Sequence, residues 1–211
     1  VSANLGVFIL MVKFMKIGTK KISRRSIRLK GYDYTQSNWY FITICVKNKE
    51  YVFGEIINGE MNLNGSGKIV QDEWIKSEQI RINIELDYYQ IMPNHLHGIV
   101  YINKGNTDVS FIVGATGPVA PTATLKPNSL GSFIGQFKSV VTKRIRKNGM
   151  GNFNWQRNYF ERVIRDEEEL NKIRKYIIEN PLKWGKDEYN QDSINKKSEI
   201  RMMMDDIIIL M

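Results

Sequence analysis

A single cysteine, Cys45, excludes an intramolecular disulfide and any zinc site built from several thiolates. It lies within the apolar run from Trp39 to Val46, where a buried structural thiol is the default, and the absence of disulfide chemistry fits a reducing cytoplasm. The chain is also short of long hydrophobic runs. Leu5 to Val12 is apolar but falls well short of the roughly 20 residues that span a bilayer. No basic segment precedes it, and charge rather than a small-residue cleavage site follows, so it does not read as a signal peptide. An over-extended start, with Met11 or Met15 as initiator, is the expectation. Internal repeats are lacking. Acidic residues are outnumbered, 22 against 31 Lys and Arg, and the net charge of +9 favours an anionic partner such as nucleic acid or a membrane surface. Aromatics make up 11% of the chain; most belong in a core, but some can stack on bases.

Histidine is nearly as scarce as cysteine, with only two in the chain, yet both fall in Met92-Pro93-Asn94-His95-Leu96-His97-Gly98. The apolar stretch from Leu96 to Ile102 reads as a strand, on which His95 and His97 share a face. Two imidazoles side by side form half of a divalent-metal site. Alone, the pair is equally compatible with two histidines hydrogen-bonded at a strand start.

Strands are expected over Trp39–Val46, Tyr51–Ile57, Glu60–Leu63, Glu85–Met92, Leu96–Ile102 and Tyr159–Arg165, with Asn58-Gly59 turning a hairpin. Helical periodicity covers Ser66–Ile80, Ser129–Lys147 and Asp166–Asn180; Asp166 with Glu169 resembles a capping box, and Pro181 marks a stop. The stretch 103–128, rich in Gly, Thr, Ala and Pro, reads as a flexible insert. This order predicts an α+β fold: a ferredoxin-like antiparallel sheet with helices packed on one face and the histidine pair on a central strand. The expected division is an N-terminal extension over 1–23, a domain over 24–184 and a C-terminal tail over 185–211, to which no function is assigned.

Cations cluster in two places. Arg24, Arg25, Arg28 and Lys30 form a basic arm ahead of the first strand, and Lys138, Lys143 and Arg144 lie on the amphipathic helix 129–147. Each cluster suits either a solvated surface or contact with a phosphate backbone. On the last helix, Tyr176 and Asn180 stand one turn apart, so a phenol and an amide oxygen could together address a metal-bound phosphate. Such pairs also arise as a core-edge aromatic and a helix-terminal residue.

Three ordered segments now converge: the histidine run, then Trp155-Gln156-Arg157-Asn158-Tyr159-Phe160-Glu161-Arg162-Val163-Ile164-Arg165, then Tyr176-Ile177-Ile178-Glu179-Asn180-Pro181. Together they resemble the REP-associated tyrosine transposases, single-tyrosine members of the histidine-hydrophobic-histidine class that act on single-stranded DNA. The resemblance runs from about Arg24 to Trp184 and takes in the segment from Arg25 to Tyr34. It implies that Tyr176 is the nucleophile and that His95, His97 and Asn180 are ligands of a divalent metal, Mg²⁺ or Mn²⁺. Tyr159 is the competing tyrosine. Imidazole and amide ligands favour Mn²⁺ in vitro. Single-stranded or hairpin DNA is the implied partner, held with the help of the basic arm, the helix cations and Arg157. A membrane partner is not expected, and the chain is a monomer or a homodimer. Two other readings share these residues: a non-catalytic hairpin binder, which would bind without cleaving, and a single-strand nuclease, whose products would never be rejoined.

Overall fold

The computed structural model describes residues 31–104 and 127–193. The basic arm, with Arg24, Arg25, Arg28 and Lys30, lies outside them, as do the expected insert apart from its ends and everything after 193. In chain order the elements are β1 (Asn38–Cys45), β2 (Gly54–Ile57), β3 (Glu60–Leu63), α1 (Gly65–Ile80), β4 (Ile84–Met92), β5 (His95–Ile102), α2 (Leu130–Lys147), β6 (Phe160–Val163) and α3 (Glu167–Glu179).

β1 is apolar along both faces, and that composition places it inside the sheet rather than at an edge. It pairs antiparallel with β5 on one side and β6 on the other, and β4 flanks β5, which gives the order β4-β5-β1-β6. With α1 between β1 and β4, and α2 between β5 and β6, this is the expected ferredoxin-like arrangement. The hairpin β2–β3 stands apart as a two-stranded sheet. Its turn needs left-handed backbone at both central residues, and Asn58 and Gly59 supply it with φ of 52° and 81°.

Period-two alternation on β1 and β5 divides the core in two. Tyr40, Ile42, Ile44, Leu96, Val100 and Ile102 face α1 and α2, whose Val70, Trp74, Phe133, Phe137 and Val141 complete the larger core. Gly98 lies on this face directly over Trp74; a Cβ there would come within 2.6 Å of Trp74 Cζ2. The opposite face presents Phe41, Ile99 and both histidines. Here α3 packs, burying Leu170 and Ile177 with Phe41, Ile99 and Ile164. So α1 and α2 share one face, and α3 alone crosses the face that carries the histidines.

The start of α3 is well defined. Asp166 Oδ1 accepts from Glu169 N at 2.7 Å, and three glutamates in the first turn complement the helix dipole. Glu169 Oε2 accepts from Arg165 N at 3.0 Å instead of closing a reciprocal box on Asp166. Arg174 anchors α3 to the sheet through Asp87 of β4, with Nη2 to Oδ2 at 2.6 Å. Pro181 ends the helix, and a 3-10 turn, Pro181–Lys186, leads the chain back across the histidines.

Candidate metal and tyrosine site

β5 begins at His95, so both imidazoles project from the first turn of the pleat onto the face beneath α3. Their register partners on β1 are Cys45 and Thr43. His95 and His97 are fully buried, and their Nε2 atoms lie 3.0 Å apart. Each ring is held at its other nitrogen. His95 Nδ1 is 2.8 Å from Asn94 Oδ1, and His97 Nδ1 is 2.8 Å from Thr43 Oγ1. Phe41 stacks on His97 at 5.5 Å between ring centroids, and Tyr189 lies against His95 at 4.6 Å.

The last turn of α3 brings up the rest. Tyr176 Oη is 3.3 Å from His97 Nε2, while its ring meets Phe41 edge-on and stays partly exposed. One turn on, Asn180 is buried, its side chain lies close enough to Tyr176 and Asp187 to favour the charged form of each, and its Oδ1 has no hydrogen-bond partner. A carboxylate oxygen of Asp187 and one nitrogen of each histidine all lie within 4.8 Å of one another.

Burial sets the protonation states. It drives His95 well below the ordinary imidazole value, with His97 and Lys49 adding to the effect, and pulls His97 down to about 3. Both are therefore neutral at pH 7, the form that coordinates metal. Burial also raises Tyr176; the nearby Asp187 and Glu188 carboxylates push the same way, and the Asn180 side chain opposes them. Asp187 is raised, again chiefly by burial.

These residues fit a divalent cation. Two neutral imidazoles and a carboxylate form a mixed nitrogen and oxygen donor set, suited to Mn²⁺ or a neighbouring first-row ion and less so to Mg²⁺, and the buried Oδ1 of Asn180 is engaged by no other group.

The unfolded chain binds protons at histidine near 6.5, and the folded chain binds them at His97 only near 3. Between those values the unfolded state holds more protons, so this contribution is complete above about pH 6.5 and is lost as pH falls. The loss for His97 alone is about 1.4 kcal/mol per pH unit. Urea midpoints of the metal-free protein, taken between about pH 7 and about pH 4, should fall steeply. They should fall less in His97→Asn; equal slopes in the two proteins would contradict the assignment.

Sequence reasoning named His95, His97, Tyr176 and Asn180, and the fold gathers all four. It did not name Asp187, Tyr189, Thr43 or Asn94. Asp187 and Tyr189 come from a polar stretch with no periodicity or motif to mark it; Asn94 read only as a turn residue. Tyr159 packs against the α1–α2 core on the other face of the sheet, with Lys138 Nζ 5.7 Å from its ring centroid.

The expected DNA-contacting cations have separate fates. Lys138 donates to the carbonyls of Gln156 at 2.9 Å and Asn158 at 3.2 Å, and burial lowers it to about 8. Arg144 pairs with Glu73 at 2.5 Å and Asp72 at 3.4 Å, tying α2 to α1. Lys143 is exposed. Arg157, also exposed, lines a cleft of about 600 Å³ with Lys47, Asn48, Lys49, Asn154 and Gln156, next to the start of β5. Among the described residues, no helix is long and apolar enough to cross a membrane.

No family model matches the chain. It is 43% identical over 173 residues to an uncharacterized protein of Haemophilus influenzae, a match that takes in 80% of this chain and 94% of that one. Among solved structures, a REP-associated tyrosine transposase bound to a REP hairpin is similar with a TM-score of 0.51 and 18% identity, over 75% of this chain and 74% of the other. A putative transposase from Deinococcus radiodurans gives a TM-score of 0.37 at 17% identity, over 73% of this chain and 96% of that one. The chain therefore belongs to the family of the Haemophilus influenzae protein and has the fold of the REP-associated tyrosine transposase.

Proposed function

We propose that the chain is a transposase-type enzyme that cleaves and rejoins single-stranded hairpin DNA through a 5′-phosphotyrosine at Tyr176. The observation that carries this reading is the 3.3 Å approach of the Tyr176 hydroxyl to His97 Nε2, beside two imidazoles whose Nε2 atoms face each other.

Tyr176 Oη releases its proton to solvent and attacks phosphorus, a phosphotyrosine bond forms, and the bond to the 3′ oxygen breaks. That oxygen takes up a proton and leaves as a 3′ hydroxyl. In the reverse step a 3′ hydroxyl attacks the phosphotyrosine and restores Tyr176. One phosphoester is exchanged for another, so rejoining needs no ATP. His95 and His97 would hold the metal with Asn180, and Asp187 adjoins them as a further oxygen donor. When bound, the cation supplies charge neutralisation at the non-bridging oxygens and favours the phenolate. Asn180, one turn along α3 from Tyr176, favours its ionised form. Lys47, Lys49 and Arg157 in the adjoining cleft offer positive charge along the strand's approach.

The test is a denaturing gel of the full chain with labelled hairpin oligonucleotides from the flanks of its own gene. A shifted, covalent band with Mn²⁺ that disappears with EDTA is the expected result. Tight binding on a native gel without any covalent band in either condition would replace this reading with that of a binding module. Hydrolysed ends that are never rejoined would replace it with a nuclease.

A further inference from the structure

We propose that Asn94 is a positioning residue that locks His95 in the tautomer able to bind a cation through Nε2, while His97 stays free to switch. The inference rests on the reading that the histidine pair holds a divalent metal. Asn94 is buried, and its Nδ2 donates to two backbone carbonyls, Lys49 O and Tyr189 O, each at 2.8 Å. Carbonyls only accept, so the amide nitrogen must face them and Oδ1 must face His95 Nδ1, 2.8 Å away. An amide oxygen also only accepts. His95 Nδ1 therefore carries the proton, and His95 Nε2 presents a bare lone pair toward His97.

His97 is held differently. Its Nδ1 meets the Thr43 hydroxyl at 2.8 Å, and a hydroxyl can donate or accept. Without metal, His97 Nε2–H can donate to the bare Nε2 of His95 while Thr43 donates to His97 Nδ1. With both Nε2 atoms turned to a cation, the Thr43 hydroxyl rotates and accepts from His97 Nδ1–H. One imidazole is thus fixed and its neighbour adapts, so the empty pair stays hydrogen-bonded and the ligand geometry needs no backbone change.

Asn94 also joins three segments that are distant in sequence: the turn before β5, the 46–50 loop and the chain near Tyr189. Its removal would loosen the last of these over His95. The carbonyls it holds would lose their partners, so the cost of its loss is partly structural, and a readout beyond stability is required.

The chain has only two histidines, so ¹⁵N-histidine NMR of the metal-free protein reads each ring directly. His95 is expected as the Nδ1–H tautomer, the minor form in water. Asn94→Ala should return it to Nε2–H and weaken Mn²⁺ binding, measured by calorimetry, by about 10–100-fold. Asn94→Asp keeps the acceptor and should retain Nδ1–H. An Nε2–H signal for His95 in the parent chain would overturn the proposal, as would unchanged tautomer and Mn²⁺ affinity in Asn94→Ala. If Asn94→Ala does not fold, the parent spectrum and Asn94→Asp decide. A parent chain with the Nδ1–H tautomer but no Mn²⁺ binding would sustain the positioning claim and remove the metal reading beneath it.

Discussion

Tyr176→Phe should abolish the covalent protein–DNA band, a loss on the order of 10³-fold or more, while hairpin binding on a native gel stays largely intact. The asymmetry comes from what the substitution removes. The Tyr176 ring packs edge-on against Phe41, and phenylalanine keeps that contact. The hydroxyl, 3.3 Å from His97 Nε2, is the only group lost. Urea stability should change little, because the ring is partly exposed and the hydroxyl has few partners to leave unsatisfied. An adduct of undiminished yield would contradict the proposed nucleophile. Loss of both adduct and binding would assign Tyr176 to the binding surface instead.

The second large effect is on the scaffold. Gly98→Ala should cost about 1–3 kcal/mol, read as a lower urea midpoint at unchanged slope. The new methyl would lie 2.6 Å from one Trp74 ring carbon and 2.9 Å from another. Trp74 is fully buried and bounded by Tyr89, Phe133 and Phe137, so the ring has nowhere to move. The strand must yield instead, and His97 is the next residue along it. Metal affinity should therefore drop together with stability. Ordinary stability in Gly98→Ala would mean that the Trp74 packing is looser than these distances require.

The sheet was legible because β1 and β5 are apolar over most of their length, α1 and α2 carry stripes at helical spacing, and Asn58-Gly59 marks a two-residue turn. The face on which each helix lies was less so. The stripe Leu170, Ile173 and Ile177 states that α3 buries one side, but it does not say against which face of the sheet. His95, His97 and Tyr176 could be named because their residue types are scarce or their context is specific. Asp187 could not. It enters the site only because Pro181 ends α3 and turns the chain back over the histidines, a tertiary event with no local signature. Arg144 shows the converse. On a basic helix it suggested phosphate contact, and it pairs with Glu73 and Asp72 on α1, whose approach no reading of α2 alone could supply.

The site also brings in a rival that sequence did not. Tyr189 lies against His95 at 4.6 Å between ring centroids, closer than the 5.2 Å between Tyr176 and His97. Burial raises it strongly, and the nearby Cys45, Glu188, Tyr176 and Asp187 act in the same direction, so its phenolate is disfavoured. Of the two tyrosines against the histidine pair, Tyr176 is the one whose hydroxyl lies at hydrogen-bonding distance from a histidine nitrogen.

The most direct test of the account is therefore the site of covalent attachment. The Mn²⁺-dependent adduct would be trimmed with nuclease and trypsin, and the modified peptide sequenced by mass spectrometry. The account predicts a nucleotide joined through phosphate to Tyr176. Attachment at Tyr159 or Tyr189 would contradict it.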